Sequence, residues 1–169
     1  PLPRGASIRC RYGDAREVME SLPAGLTGQI DLIVVDVFRG ARTPAHVTSV
    51  EFYESARALL APGGVLVANV ADGPPLTFAR GQLATLRHVF AESCATGEQS
   101  VLRAKRFGNV VLVASAAPMA WTGKLAGLGP HPAITVTGSD ATEWAAAGKI
   151  VTDVTAIDSP PPARNLFRS

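Results

Sequence analysis

Apolar residues occur along the chain in two patterns, as nearly unbroken runs and as runs that alternate with polar residues. Asp31–Phe38 is a β-branched run without alternation, which is typical of a central strand buried on both faces in a parallel sheet. Val65–Val70 and Val110–Ala114 are similar and predict two further buried strands. Ser7–Tyr12 alternates with a period of two, which predicts a half-buried strand that ends at Gly13.

Three segments between these strands have the features of helices. The pattern predicts a short helix over Ala15–Leu22, before a proline and a glycine. Thr48 and Glu51 have the spacing of a capping box, so a second helix is expected from there to Leu60. A longer apolar stripe predicts a third helix over Leu76–Phe90.

Strands and helices therefore alternate, which indicates an α/β fold with a mostly parallel sheet. Residues 101–115 depart from the alternation, because they contain a weaker strand, a basic turn and Val110–Ala114 without a helix between them. Two strands joined in this way must be antiparallel neighbours. The sequence thus predicts a mixed sheet that ends in an antiparallel strand pair.

From Pro118 onward the composition shifts to glycine, proline and alanine, so we divide the chain into a domain of residues 1–117 and an extension of residues 118–169. Within the extension, Ile134–Thr137 predicts a short strand, and Asp140–Ala147 predicts a short helix capped by Ser139 or Asp140. Residues 159–162 have the proline content of an extended tail.

The composition, with 47% hydrophobic and 18% charged residues, is that of a globular domain. A net charge of +2 gives no reason to expect a nucleic-acid or membrane partner. Cys10 and Cys94 lack the spacing of a zinc or redox site, and we expect both to be small core residues in a reducing compartment. No signal peptide or apolar run of membrane-spanning length is present, so the sequence predicts a cytoplasmic protein.

Ligands of open α/β sheets bind at the carboxyl ends of strands, where this sequence places Asp14, Asp36 and the segment Asn69–Asp72. Asp36 is the strongest candidate, because a carboxylate in an apolar run carries a desolvation cost. Shielded by its apolar neighbours, it can accept a proton from an amine or hold a cationic amine. Asp14 is either a helix cap or an acceptor for an adenine amino group.

Other candidates have simpler interpretations. Asn69 is expected to be a turn former at a strand end, and His46 is expected in a loop, with catalysis as its alternative. His88 and His131 suggest no site. No group of residues has the spacing of metal ligands, and no serine lies in a nucleophile elbow.

Several motifs, taken in order, resemble the spermidine synthase family, particularly the spermidine synthase-like proteins of actinobacteria. The motifs, which extend from about Ile8 to Ser115, are Gly13-Asp14-Ala15, Asp31–Asp36, Thr48–Tyr53, Leu60–Leu66, Asn69–Pro75 and Arg106–Val111.

The resemblance implies a Rossmann-like sheet with strand order 3-2-1-4-5-7-6 that binds decarboxylated S-adenosylmethionine, with transfer of its aminopropyl group to putrescine. It also implies that Asp14 and Ala15 contact adenine, that Asp36 accepts the proton, and that Pro44 lies near the nucleoside.

Two departures from the family pattern change this expectation. Arg39 stands where the family has a second aspartate that holds the ammonium of the diamine, and a guanidinium there would repel a cation. Methyl transfer from S-adenosylmethionine, a neutral or anionic acceptor, or a noncatalytic binding domain are therefore alternatives.

The glycine-rich loop and the ribose-binding acidic residue of the family also have no counterpart. The chain is thus expected to be a C-terminal fragment that lacks the neighbours of the Ser7–Tyr12 strand. We expect such a fragment to bind adenosyl ligands negligibly, to be inactive alone and to form homo-oligomers through its open sheet edge.

Overall fold

The structure is a computed structural model that describes residue 5, residues 7–128 and residues 132–162. The five α-helices of this part are α1 (Ala15–Glu20), α2 (Val50–Leu59), α3 (Thr77–Val89), α4 (Gln99–Leu102) and α5 (Gly138–Ala145). The five strands are β1 (Ile30–Val35), β2 (Leu60–Asp72), β3 (Glu92–Glu98), β4 (Gly108–Ser115) and β5 (Ala133–Val136). Short 3₁₀ segments are Ala24–Leu26, Ala45–Val47 and Thr122–Gly127.

The strands form one sheet in the order β1-β2-β4-β3-β5. β1 and β2 are parallel, whereas β4 is antiparallel to both of its neighbours, β2 and β3. β1, β2 and β3 therefore run in one direction, and β5 pairs antiparallel with β3 at the far edge. The mixed α/β sheet with its antiparallel pair confirms the predicted fold class, and its first four strands follow the 4-5-7-6 part of the expected order.

Alternation along the two longest strands divides their side chains between two apolar layers. Leu66, Val70 and Leu112 face the main core, where α2, α3 and α5 pack against the sheet. Val67 and Val113 face a smaller cluster on the opposite side. Buried apolar side chains on both faces explain why β2 and β4 have unbroken apolar sequences.

Two strand predictions are wrong. Ser7–Tyr12 forms no strand, and its apolar side chains are exposed, Tyr12 at 98%. β1 lies at the edge of the described sheet instead of its centre, and Leu32 and Val34 are 55% and 59% exposed. Alternation alone could not reveal that residues 7–12 have no partner strand here.

Other boundaries and caps also differ from prediction. Helix α2 is capped by Ser49, whose Oγ accepts from the Phe52 N–H at 3.2 Å, so the capping box of Thr48 and Glu51 does not form. The weaker strand predicted within residues 101–115 does not form, because residues 101 and 102 end helix α4. The antiparallel neighbour of β4 is β3, which lies before residue 101, and α4 stands between the two strands. Helix α5 begins after Thr137, so neither Ser139 nor Asp140 is its cap.

Both cysteines are free thiols, but they differ in exposure. Cys94 is buried as predicted, and burial raises the pKa of its thiol to about 11. Cys10 is exposed, so its assignment to the core is wrong, because it belongs to the segment that forms no strand. Among the described residues no helix is long and apolar enough to cross a membrane.

The extension contributes to the same sheet and to its loops. β5 pairs with β3, and α5 packs against α3. Residues 149–162, which we call the strap, contain no helix or strand and turn at residues 153–155. The extended tail over residues 159–162 stays a prediction. The strap lies against the loop that follows β1, where Ser159 is fully buried and exchanges hydrogen bonds with the backbone of Thr43.

Candidate functional site

Asp36 and Asn69 form a polar pair at the carboxyl end of the parallel strands. Asp36 follows β1 directly, and the register of Val35 with Ala68 places Asn69 beside it. The Asn69 Nδ2 donates a hydrogen bond of 2.9 Å to Asp36 Oδ1. Asp36 is exposed, so the expected apolar shielding is wrong, because β1 lies at the sheet edge.

Asn69 is a strand residue instead of the predicted turn former, since β2 continues to Asp72. Its amide is held by the bond to Asp36, and its Oδ1 is buried without a hydrogen-bond partner among the described residues. A buried acceptor without a donor costs about 1–3 kcal/mol. The pair therefore presents an exposed carboxylate that the Asn69 amide orients, which suits a ligand that carries N–H donors.

Asp14 caps helix α1, as one of its two interpretations predicted. Its Oδ1 accepts from the Arg16 N–H at 2.9 Å and from the Glu17 N–H at 3.3 Å. Its Oδ2 lies 2.7 Å from His46 Nε2, a contact that sequence reasoning missed because the residues are separated by a strand and a loop. The capping role is confirmed, and contact with adenine stays a prediction.

The ionisation of Asp14 follows from these contacts. Partial burial raises the pKa of Asp14, but the backbone hydrogen bonds from Glu17 and Arg16 and the interaction with His46 together hold the pKa below its usual value. The carboxylate of Asp14 is thus charged at neutral pH.

The other proposed nucleoside contacts lie close to Asp14 in the fold. Ala15 is the first residue of α1. Pro44 is buried and precedes the 3₁₀ segment Ala45–Val47, which packs against α1 and contains His46. The structure therefore brings Asp14, Ala15 and the Pro44 segment together, while Asp36 lies with Asn69.

Arg39 does not present a free positive charge at the site. Its guanidinium Nη2 lies 2.9 Å from Oδ2 of Asp158 in the strap. The other carboxylate oxygen of Asp158 accepts from the Ala45 N–H at 2.9 Å. The expected repulsion of a cation by Arg39 is thus reduced by a residue 119 positions away, which local sequence patterns could not reveal.

A second ion pair fixes the strap to helix α1. The Arg16 guanidinium donates two hydrogen bonds, of 2.7 and 2.8 Å, to the carboxylate of Asp153. The Ser49 hydroxyl donates a third to the same carboxylate. Hydrogen bonds from Arg16 and Ser49 hold the pKa of Asp153 at about 2, below its usual value of 3.8.

We expect the Asp153 pair to stabilise the fold only above strongly acidic pH. A carboxylate whose folded pKa is lowered contributes stability above its unfolded pKa and loses it as the pH falls through the folded pKa. The melting temperature of Asp153→Asn should therefore lie below that of wild type above pH 4, and the difference should shrink between about pH 4 and 2. Asp31→Asn, at an exposed position, is the control. A difference that stays constant from pH 6 to pH 2 would contradict the assignment.

Asp72 ends β2 and is buried beneath the start of helix α3. Its two oxygens accept from the Gly73 N–H at 2.7 Å and the Ala79 N–H at 2.9 Å. Burial raises the pKa of Asp72, and the backbone hydrogen bonds oppose that effect only in part. Asp72 is therefore a structural cap for this end of α3 and lies at the floor of a cleft of about 1020 Å³.

This sheet order, with the polar pair of Asp36 and Asn69 at the carboxyl end of the parallel strands, is that of a Rossmann-like fold of the methyltransferase type. No protein-family model matches the chain. A polyamine aminopropyltransferase from Vibrio vulnificus is 40% identical over 92 residues, covering 51% of this chain and 28% of that protein. The comparison with curated proteins thus confirms the resemblance to the spermidine synthase-like family.

A solved structure supports the same resemblance. The crystal structure of a "probable spermidine synthase" from Corynebacterium glutamicum matches with a TM-score of 0.77 and 33% identity, over 89% of this chain and 56% of that one. Human methyltransferase-like protein 13 in complex with SAH matches with a TM-score of 0.47 and 19% identity, over 81% of this chain and 55% of that one, which is too weak to support a conclusion. The chain spans about half the length of the solved spermidine synthase and less of the curated relative.

Proposed function

We propose that this chain is part of a spermidine synthase-like transferase that moves an aminopropyl group from decarboxylated S-adenosylmethionine to an amine. The pair of Asp36 and Asn69 carries the proposal, because it holds an exposed carboxylate, a proton acceptor for an amine, at the carboxyl end of the parallel strands. The similarity to a polyamine aminopropyltransferase and to a spermidine synthase supports the choice of reaction.

In the proposed reaction, Asp36 accepts a proton from the ammonium form of the acceptor. The free nitrogen lone pair then forms a bond to the aminopropyl carbon next to the sulfonium. The carbon–sulfur bond breaks with its electrons going to sulfur, which releases methylthioadenosine. Asn69 Nδ2 donates to Asp36 Oδ1 and so orients the carboxylate, which leaves Asp36 Oδ2 for the amine.

Asp14, Ala15 and Pro44 are proposed to hold the adenosyl portion of the donor substrate. An ionised carboxylate offers about four lone-pair sites. On Asp14, two backbone N–H groups and the His46 ring occupy three of these lone-pair sites. One lone-pair site is left for an adenine amino group. The carboxylate is also partly exposed, so a ligand can reach it.

The test is mass spectrometry of the reaction with decarboxylated S-adenosylmethionine and a set of amines. Both the 169-residue chain and the longest native polypeptide that contains it should be assayed, because the chain matches only part of its relatives. We expect amine-dependent release of methylthioadenosine and an acceptor that gains an aminopropyl group. A methyl increment with S-adenosylmethionine would support methyl transfer instead. No transfer and no nucleoside binding by the longer polypeptide would contradict the proposal.

We also propose that the chain forms homo-oligomers through the edge strand β1. Leu32 and Val34 are exposed there, at an edge of the described sheet that has no neighbouring strand among the described residues. Light scattering coupled to size exclusion should show a dimer or larger species, and Leu32→Lys together with Val34→Lys should give a monomer. Val154→Lys, at a position 94% exposed in the strap, is the control. A monomeric wild-type chain would contradict this prediction.

A further inference from the structure

The cleft above Asp72 has apolar walls and lies beside the pair of Asp36 and Asn69 without including either residue. It is bounded by the start of α3, the loop before β4 and the strap. The apolar side chains that line it are Phe78, Phe107, Val151, Ile157 and the prolines at positions 74, 75, 160 and 161. At about 3.3 Å per residue, Asp72 lies roughly 10 Å beyond Asn69 along β2. The cleft can therefore take a ligand of its own.

The two acidic side chains that line the cleft are already engaged. Both oxygens of Asp72 accept backbone N–H groups beneath α3. One oxygen of Asp158 accepts from the Ala45 N–H, and the other pairs with Arg39. Neither carboxylate is therefore without a partner, and a cationic ligand here would share it with the groups already bound.

The basic side chains that line the cleft differ from one another in their partners. Arg106 pairs with Glu98, and Arg42 donates to the Ser159 carbonyl at 2.6 Å and lies 4.0 Å from Asp158. Lys149 makes no salt bridge within the part of the chain that the structure describes. Its exposed side chain thus supplies a positive charge without a counterion at the rim of an apolar cavity.

We propose that this cleft binds a small organic anion with an apolar body, of the class of arylalkyl carboxylates. The carboxylate pairs with Lys149, and the apolar body packs against Phe78 and Phe107. Burial of an aromatic body supplies affinity, while the single uncompensated ammonium selects for negative charge. The assignment goes beyond the transfer reaction, because the cleft and its charges require no chemistry at Asp36.

The experiment compares 4-phenylbutyrate with 4-phenylbutylamine, two probes that share a carbon skeleton and differ in charge. Binding is followed by amide shifts in two-dimensional NMR of the 169-residue chain. We expect the carboxylate to give saturable shifts at Gly73, Phe107 and Val151, and the amine to bind at least tenfold more weakly. Lys149→Met should weaken carboxylate binding about tenfold or more, since hydrogen bonds to charged groups are among the stronger ones.

Two matched variants separate charge from structure. Lys149→Arg should retain carboxylate binding, because it keeps the positive charge, and Lys124→Met, outside the cleft, should leave it unchanged. Equal or tighter binding of the amine, unchanged affinity in Lys149→Met, or no binding of the carboxylate at millimolar concentration would overturn the proposal. Because the readout is binding, its failure is distinct from a failure of aminopropyl transfer, which is measured by product formation.

Discussion

Replacing Asp36 by asparagine should lower the turnover of the proposed transferase by about 100-fold or more, because general base catalysis contributes roughly 10²–10⁴-fold. The change preserves the size of the side chain, and its amide oxygen can still accept from Asn69 Nδ2. What it removes is the proton acceptor. We therefore expect nearly unchanged affinity for the nucleoside substrate, which is proposed to contact Asp14 and the segment at Pro44.

The measurement is a comparison of kcat and of nucleoside affinity between wild type and Asp36→Asn in the active form of the protein. Asp31→Asn, at the other end of the same strand, tests whether loss of any β1 carboxylate has this effect, and it should retain turnover. If the turnover of Asp36→Asn stays within a few-fold of wild type, the catalytic assignment fails. If only the affinity for the nucleoside falls, the role of Asp36 is substrate binding instead of proton transfer.

Local sequence patterns predicted the strands that have apolar side chains on both faces of the sheet and the helix that has a continuous apolar stripe. β2, α3 and β4 have long apolar runs or stripes, and their type is correct although their ends shift by several residues in places. β3 was not predicted, because Glu92–Glu98 is built from small and polar residues. Its buried positions, such as Ala95, are recognisable only once β4 is beside them.

The site was predicted in part for a similar reason. Asp36 and Asp14 stand at strand and helix boundaries, which the chain pattern reveals. The contact of Asn69 with Asp36 depends on the parallel pairing of β1 with β2. The contact of His46 with Asp14 depends on the loop after β1 returning to α1. The strap contacts are more distant still, since Asp153 and Asp158 bind residues more than 100 positions away.

Replacing Gly148 by alanine should destabilise the fold more than any exposed substitution, because a Cβ at this position would lie 2.3 Å from the Arg80 carbonyl carbon and 2.4 Å from the Gly81 nitrogen. Both neighbours are backbone atoms of α3, so no side chain can move aside. Overpacking of this kind costs typically about 1–3 kcal/mol, and the rigid backbone places this case at the upper end.

The clash would separate the start of the strap from α3, where Val151 N–H donates to Thr85 Oγ1 at 2.9 Å. We expect the melting temperature of Gly148→Ala to fall by roughly 6 °C or more, given a shift of about 2–4 °C per kcal/mol for a chain of this size. Amide hydrogen exchange in residues 149–162 should become faster. The affinity of the cleft for 4-phenylbutyrate should fall.

Gly123→Ala is the matched control, because a Cβ there would meet nothing within 4 Å. Its melting temperature should stay close to that of wild type, since surface substitutions usually change stability by less than about 0.5 kcal/mol. If Gly148→Ala and Gly123→Ala have the same melting temperature, the contact between the strap and α3 is not what holds residues 149–162 in place. The strap would then have to be held mainly by its ion pairs and by the hydrogen bonds of Ser159, and Asp153→Asn combined with Asp158→Asn should loosen it.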